Sequence, residues 1–244
     1  MDINPIGEST VFEVIPYRSR PKLERFMRYL SVWAHFQQIR ELELSRLSLE
    51  ELVGKVFQFC DSFFAPIQIQ SEILEALQEV RRLRPKYIVE VGTAGGGTLL
   101  LWSRVAHPEA TIVTIDLPGA KFGGGSSYLR VPLLRRLPLR GQTLHIIRGD
   151  SHHPQTVERT KGYLRGNPAD FLFIDADHTE SGVRSDYSMY SPLVRKGGMI
   201  AFHDIAITLP EYGVRTLWSE LKTRHQTRDV LGKSTPVGIG LLYV

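Results

Sequence analysis

Four apolar segments between Tyr87 and Asp204 share one pattern, in which a short hydrophobic run ends in glycine, carboxylate or histidine residues. The segments are KYIVEVGTAGGG, ATIVTID, FLFIDADH and GGMIAFHD. Short apolar runs bounded by such residues are typical of buried strands. Because ligands of an open parallel sheet bind at the carboxyl ends of its strands, the four endings predict one shared binding site.

Helical patterns alternate with these apolar runs along the second part of the chain. Strands are predicted at residues 86–91, 111–116, 144–148, 170–175 and 198–203, and helices at 71–83, from about residue 96, and at 155–165, 179–190 and 212–224. This alternation predicts a parallel sheet that helices cover on both faces. Residues 229–244 lack a helical pattern and predict a final hairpin, with VGIGLLYV as its last strand.

The first 65 residues show apolar positions at helical spacing, for example Leu23, Phe26 and Leu30. Ser48 and Glu51 form a capping-box pattern at the start of a later helix. Apolar stripes of this kind usually bury a packing surface. We therefore predict an N-terminal helical extension over residues 1–65, as a lid or dimer contact, and a sheet domain over 66–244.

The composition is that of a soluble globular protein, with 42% hydrophobic residues. Lys and Arg number 30 and Asp and Glu 26, and this net charge of +4 is too small to indicate a nucleic acid partner. Cys60 is the single cysteine, which excludes an intrachain disulfide and favours a reducing compartment. No apolar run is long enough to span a membrane, and no signal peptide pattern is present. The expected location is the cytoplasm.

The glycine-rich turn Glu90–Thr98 follows the first predicted strand and precedes a helix. Glycines there let the backbone approach a ligand closely, and the helix start offers N–H groups to an anion. A purely structural tight turn would have the same sequence. Ala94 stands where the dinucleotide-binding fingerprint has its second glycine, which disfavours a nicotinamide oxidoreductase.

Aspartates at two neighbouring strand ends extend this pattern. Asp116 ends the second strand, about two dozen residues past Gly92, where a carboxylate accepts hydrogen bonds from ribose hydroxyls. Asp150 follows the third strand and is a candidate partner for an adenine amino group, although Gly149-Asp150-Ser151 is also an ordinary loop sequence. Together with the glycine turn, the aspartates predict a nucleoside site.

The last two endings, Asp175–His178 and His203-Asp204, place carboxylates and imidazoles at adjacent strand ends. Carboxylates this close repel each other unless a cation or a proton lies between them, so a metal site is predicted. His178 is then a candidate general base, neutral near pH 7 on the first turn of the next helix. Asp177 is predicted to be the N-cap of that helix, with Glu180 as its capping-box partner.

Taken in order, these motifs resemble the class I S-adenosylmethionine-dependent methyltransferases, specifically bacterial metal-dependent O-methyltransferases that modify natural products and sugars. The resemblance covers about residues 66–244 and implies a Rossmann-like sheet of seven mostly parallel strands with an antiparallel C-terminal strand. The expected cofactor-binding residues are Glu90, Gly92, Thr93, Gly96, Thr98, Asp116, Asp150, Ser151 and Asp175.

In the catechol and caffeoyl-coenzyme A O-methyltransferases, the positions that Asp175, His203 and Asp204 resemble hold magnesium. In macrolide-sugar O-methyltransferases, the D-x-x-H pattern, here Asp175 to His178, supplies a metal ligand and the general base. His203 departs from the carboxylate of these relatives, and imidazole suits softer divalent metals better than magnesium. His203 is therefore either a ligand of a softer metal or no ligand.

The resemblance implies methyl transfer from S-adenosylmethionine to a hydroxyl of a small molecule, with no nucleic acid or membrane partner. FIDADH replaces the D/N-P-P-Y/F motif of nucleic acid amino methyltransferases, which argues against base methylation. The alternative is a non-methylating nucleoside- and metal-binding component of a tailoring hydroxylase system. Phe64–Gln70 is a candidate lid over the cofactor, and the N-terminal helices are a candidate contact in a homo-oligomer. The arginines Arg130, Arg135, Arg136 and Arg140 are candidates either for recognition of an anionic substrate or for an exposed helix face, and the exposed face is expected because arginines are mostly exposed.

Overall fold

The computed structural model describes residues 47–59, 66–118, 131–233 and 237–244. The helices in these ranges are α1 (Leu49–Phe59), α2 (Gln70–Leu83), α3 (Gly97–Val105), α4 (Val131–Leu134), α5 (Pro154–Leu164), α6 (Glu180–Tyr190) and α7 (Val214–Lys222). The strands are β1 (Tyr87–Val91), β2 (Thr111–Asp116), β3 (Thr143–Arg148), β4 (Ala169–Ile174), β5 (Val194–His203), β6 (Gln226–Val230) and β7 (Ile239–Tyr243).

The strands form one sheet in the order β3-β2-β1-β4-β5-β7-β6. Strands β1 to β5 pair in parallel, and β7 pairs antiparallel with both β5 and β6. The predicted Rossmann-like α/β fold and the C-terminal hairpin are thus confirmed. The strand order reverses beside β1, and a reversal of this kind opens a ligand crevice at the carboxyl ends of the strands.

Side-chain alternation along the strands divides the core into two layers. In β1, Ile88 packs on the face covered by α1, α2 and α3, whereas Val89 packs on the opposite face with α5, α6 and α7. The ring of Trp102 lies edge-on to Phe171 and Phe173, with centroids 5.0 and 5.2 Å away. Burial on both faces explains why the strands are continuous hydrophobic runs in the sequence.

The predicted caps were right for one helix and wrong for another. Ser48 and Glu51 exchange two hydrogen bonds at the start of α1, which confirms the capping box. The N-cap of α6 is Thr179 rather than Asp177, because the Thr179 hydroxyl accepts the N–H of Gly182 at 3.1 Å. Asp177 instead accepts the N–H of Thr179 at 2.9 Å, in a turn that precedes the helix.

Other predicted features lie outside the described residues. These are the helices before residue 47, the first part of the candidate lid, and Arg130. Strand β5 begins at Val194, earlier than the predicted residue 198, so its glycines lie within the strand. None of the described helices combines the length and the apolar character that a bilayer crossing requires.

Candidate active site

The glycine turn after β1 is shaped by its contact with the end of β4. Gly92 has a φ of +99°, and its N–H donates to the carbonyl of Ile115 at 2.9 Å. A Cβ atom at Gly92 would lie 1.9 Å from the carbonyl oxygen of Asp175. Glycine is therefore required here by the neighbouring backbone. Gly96, with a φ of +94°, is the N-cap of α3.

A buried network beneath this turn contains three of the predicted cofactor-binding residues. Thr98 and Thr114 donate to the two oxygens of the Glu90 carboxyl group at 2.8 and 2.7 Å. The hydroxyl of Thr93 lies against that of Thr114. Burial raises the pKa of Glu90 to about 8 despite these hydrogen bonds. Because the side chains of Glu90, Thr93, Thr98 and Thr114 form hydrogen bonds with one another, they stabilise the glycine turn.

The predicted nucleoside residues lie at the carboxyl ends of β2 and β3. Asp116 is buried at the last position of β2, and its carbonyl accepts the N–H of Gly149 at 3.0 Å. Asp150 is exposed and its carboxylate accepts the N–H of His152 at 2.9 Å. Ser151 is buried beside it. The structure thus brings Asp116, Asp150 and Ser151 to adjacent strand ends, as the sequence predicts.

Asp175, His178 and Asp204 form a cluster at the ends of β4 and β5. One ligand atom from each residue lies within 4.8 Å of the other two. The Nδ1 atom of His178 is 2.8 Å from Oδ2 of Asp204. The parallel register of β4 and β5 produces this convergence, because Asp175 directly follows β4 and Asp204 directly follows β5.

His203 lies against the same two carboxylates. Its Nδ1 atom is 3.1 Å from Oδ1 of Asp175 and 3.1 Å from Oδ1 of Asp204. Burial alone would lower the pKa of His203, but the two carboxylates raise it to about 9. The Nδ1 atom of His203, the predicted third metal ligand, thus lies between the carboxylates of Asp175 and Asp204. A protonated imidazole there offsets the repulsion between the two carboxylates.

Gln68, in the candidate lid, forms a hydrogen bond with the carboxylate cluster. It lies just before α2 with only 4% of its surface exposed, and its side-chain amide donates to Oδ2 of Asp175 at 2.6 Å. Asp175 is therefore bound on one oxygen by Gln68 and on the other by His203. Outer partners of this kind orient the carboxylate ligands of metal sites. Sequence reasoning placed Gln68 in a lid but did not identify this contact.

Glu72 was also missed by the sequence analysis. It lies in the first turn of α2 and is 1% exposed. Its two oxygens accept the N–H groups of Gly232 and Gly238, at 2.8 and 3.1 Å. These glycines flank the connection between β6 and β7, so one buried carboxylate binds both ends of that connection. Burial raises the pKa of Glu72.

His178 occupies a different local position from the predicted one. It precedes the N-cap of α6, and its ring stacks on Tyr212 with centroids 5.1 Å apart. Burial alone would lower the pKa of His178, but the hydrogen bond to Asp204 reverses this effect and the pKa is raised. This upward shift opposes the effect of the helix end that the prediction considered, because the prediction omitted Asp204.

The cluster fits a divalent cation. Two carboxylates and an adjacent imidazole converge from three chain positions, which is a suitable donor set for such an ion. Asp204 has a φ of +63°, a costly conformation for a residue with a side chain, so the fold holds this carboxylate in place against backbone strain.

Comparison with known families agrees with this geometry. A family model described as a methyltransferase domain matches residues 89–205. This stretch runs from β1 to the residue after Asp204 and contains nearly all of the site residues described above. Residues 89–205 form a methyltransferase domain. This match supports the methyltransferase interpretation of the glycine turn over a nicotinamide oxidoreductase.

Solved structures of methyltransferases share the fold of this chain. An O-methyltransferase from Bacillus cereus in complex with SAH (S-adenosylhomocysteine) is 16% identical with a TM-score of 0.55, over 86% of this chain and 97% of that chain. CalS11, a calicheamicin methyltransferase, is 16% identical with a TM-score of 0.56, over 99% of both chains. MycE of the mycinamycin biosynthetic pathway, in complex with Mg and SAH, is 18% identical with a TM-score of 0.52.

The match to MycE covers 82% of this chain and 55% of MycE, so the present chain spans about half of that enzyme. At these identities the structural likeness establishes the fold alone. Together with the family model, it confirms the resemblance to class I methyltransferases that the sequence motifs indicated.

Proposed function

We propose that this methyltransferase transfers the methyl group of S-adenosylmethionine to a hydroxyl of a small natural product or sugar. The observation that carries the proposal is the position of the Asp175, His178 and Asp204 cluster directly beside the Gly92 turn. A cofactor held at the turn would present its methyl group next to an imidazole and two carboxylates, which are groups suited to deprotonating a hydroxyl.

The nucleoside part of the cofactor is assigned to the ends of β1, β2 and β3. The Gly92 turn lets a ligand approach the backbone, and Asp116 would accept hydrogen bonds from the ribose hydroxyls. Asp150 and Ser151 would contact the adenine. In support, the similar structure from Bacillus cereus is described as a complex with SAH.

Replacing Asp116 with alanine is expected to weaken S-adenosylhomocysteine binding by about 1–3 kcal/mol, the usual cost of leaving buried polar partners unpaired. Isothermal calorimetry measures the effect. Asp229→Ala is a matched control, because Asp229 lies on β6 at the other edge of the sheet and binds Trp218 and Lys222. Equal affinities of wild type and Asp116→Ala would remove Asp116 from the cofactor site.

His178 is the proposed general base. Asp204 binds Nδ1 of the imidazole and so orients the ring, as carboxylates do in other Asp–His pairs. With Nδ1 engaged, Nε2 is the nitrogen that would take the hydroxyl proton during methyl transfer. Stacking on Tyr212 fixes the ring plane.

A divalent cation, when bound, would act as a Lewis acid that lowers the pKa of the acceptor hydroxyl, and Asp175 and Asp204 are the residues that would hold it. Gln68 and His203 would orient Asp175 from outside. The proximity of imidazoles favours manganese over magnesium as the first metal to test.

Chelation of divalent metal is expected to suppress turnover and to leave S-adenosylhomocysteine affinity nearly unchanged, because the cluster and the nucleoside residues lie on different strand ends. Manganese titration by calorimetry provides a readout independent of activity. Asp204→Asn should lose manganese binding, whereas Asp229→Asn should retain it. Full activity in excess chelator, with no metal found by elemental analysis, would contradict metal dependence.

The reaction itself is tested by incubating the protein with S-adenosylmethionine and a panel of hydroxylated natural products and sugars. Formation of S-adenosylhomocysteine together with a methyl ether is the expected result. Tight cofactor binding without turnover on any acceptor would instead favour a non-methylating component of a hydroxylase system.

A further inference from the structure

Asp186 is a fully buried carboxylate that the proposed reaction does not use. It lies on the inner face of α6 and has no exposed surface. Among the described residues, neither of its oxygens has a hydrogen bond that meets ordinary geometry, and the cation within ion-pair distance is the imidazole of His152. Nε2 of His152 is 3.3 Å from Oδ1 of Asp186.

A buried carboxylate is stable only with a partner, because removing the charge from water costs several kcal/mol. The charged groups facing His152 come from three parts of the chain: Asp186 on α6, Asp150 on its own loop, and Asp177 after β4. The close contact with Asp186 is the largest influence and raises the pKa of His152 to about 8. At neutral pH His152 is therefore mostly an imidazolium.

His152 belongs to the loop that follows β3, next to the residues assigned to adenine. The same helix contacts this loop a second time, since the hydroxyl of Tyr190 donates to the carbonyl of Ser151 at 2.9 Å. The hydroxyl of Thr156 donates to the carbonyl of Asp150 at 2.6 Å. The loop over residues 149–152 is thus held to α6 through one ion pair and one hydrogen bond.

We infer that Asp186 is a positioning residue for the cofactor, which acts through His152 to hold the 149–152 loop in its binding conformation. A loop that is already ordered loses less conformational entropy when a ligand binds, so affinity rises without a direct contact. The inference rests on the proposed function, because it takes the 149–152 loop to be the adenine subsite.

Asp186→Asn tests the inference, since the amide keeps the shape of the side chain and removes its charge. At pH 7 the Kd for S-adenosylhomocysteine is expected to rise about 5- to 30-fold, the factor that corresponds to one or two kcal/mol. Turnover at saturating cofactor should stay within about twofold, because uniform binding affects Kd and not kcat. Tyr190→Phe removes the second contact and should raise Kd without changing its pH dependence.

The pH dependence separates positioning from simple stability. A raised pKa means that the ion pair is complete below about pH 6.5 and is lost as the pH rises through about 8. The difference in Kd between wild type and Asp186→Asn should therefore be largest near pH 7 and should shrink towards pH 9. A folded variant that binds S-adenosylhomocysteine like wild type at both pH values would overturn the inference.

Amide hydrogen exchange of residues 149–153 without cofactor completes the test. Faster exchange in Asp186→Asn supports the positioning role even if wild type binds no S-adenosylhomocysteine, a result that would refute only the proposed function. Unchanged exchange would overturn the positioning role. If Asp186→Asn does not fold, His152→Gln replaces it, because the His152 side chain is 29% exposed and tolerates substitution better than the fully buried Asp186.

Discussion

Replacing Gly92 with alanine is expected to destabilise the protein by about 2–6 kcal/mol. Backbone strain and the steric conflict each contribute about 1–3 kcal/mol. The added Cβ would lie 1.9 Å from the carbonyl oxygen of Asp175, so the ends of β1 and β4 must separate. That movement would displace both the glycine turn and the carboxylate cluster. Chemical denaturation gives the stability, and calorimetry with S-adenosylhomocysteine gives the loss of binding.

Gly162→Ala is the matched control for Gly92→Ala. Gly162 lies inside α5, and a Cβ atom there would meet nothing within 4 Å. Alanine at a helical position is expected to stabilise the protein by about 0.5–1 kcal/mol. The same substitution should therefore lower the stability at Gly92 and raise it at Gly162. A Gly92→Ala protein as stable as wild type would show that the ends of β1 and β4 tolerate a wider separation.

Replacing His178 with alanine is expected to reduce turnover by about 10²–10⁴-fold, the range for a positioned general base. Cofactor affinity should remain near that of wild type, since His178 lies beside Asp204 and away from the ends of β2 and β3. Single-turnover kinetics at saturating cofactor and acceptor measures the chemical step directly.

His225→Ala is a suitable control for the His178 variant. His225 is exposed and lies between α7 and β6, at the amino edge of the sheet. Its replacement should leave turnover and binding unchanged. If His178→Ala retained near-normal turnover on the true acceptor, the imidazole would serve only to pair with Asp204, and another group would accept the proton.

The sequence predicted the residues that parallel strands carry to one edge. Asp116, Asp175 and Asp204 each end or follow an apolar run, and parallel pairing brings such positions together whatever the intervening chain does. The periodic patterns therefore determined the sheet and the main part of the candidate site. Comparison with known families confirmed the methyltransferase domain that these motifs indicated.

Contacts between distant segments could not be predicted in this way. Gln68 and Asp175 are 107 residues apart, and Glu72 is 160 or more residues from the glycines that it binds. No periodicity in the sequence indicates such pairs, because each depends on how two distant segments pack against each other. The role of Asp186 could not be predicted for a further reason, since an aspartate on a helix is usually exposed to solvent.

Local competition explains the remaining errors. Asp177 and Thr179 are both good N-cap residues, and the choice between them depends on where the chain leaves β4. The state of His178 depends on Asp204, which arrives from the next strand. In both cases the sequence shows which side chains are able to form the hydrogen bond, and the tertiary structure determines which of them does so.

The contact between Gly92 and Asp175 also bears on how such an enzyme acquires new acceptors. Because the turn after β1 and the end of β4 touch through their backbones, substitutions at the end of β4 would disturb both halves of a two-substrate site at once. Tyr212 and the segment around Gln68 lie on connections outside the parallel strands. Natural divergence and directed evolution of acceptor preference should therefore concentrate in these connections, while the strand ends remain fixed.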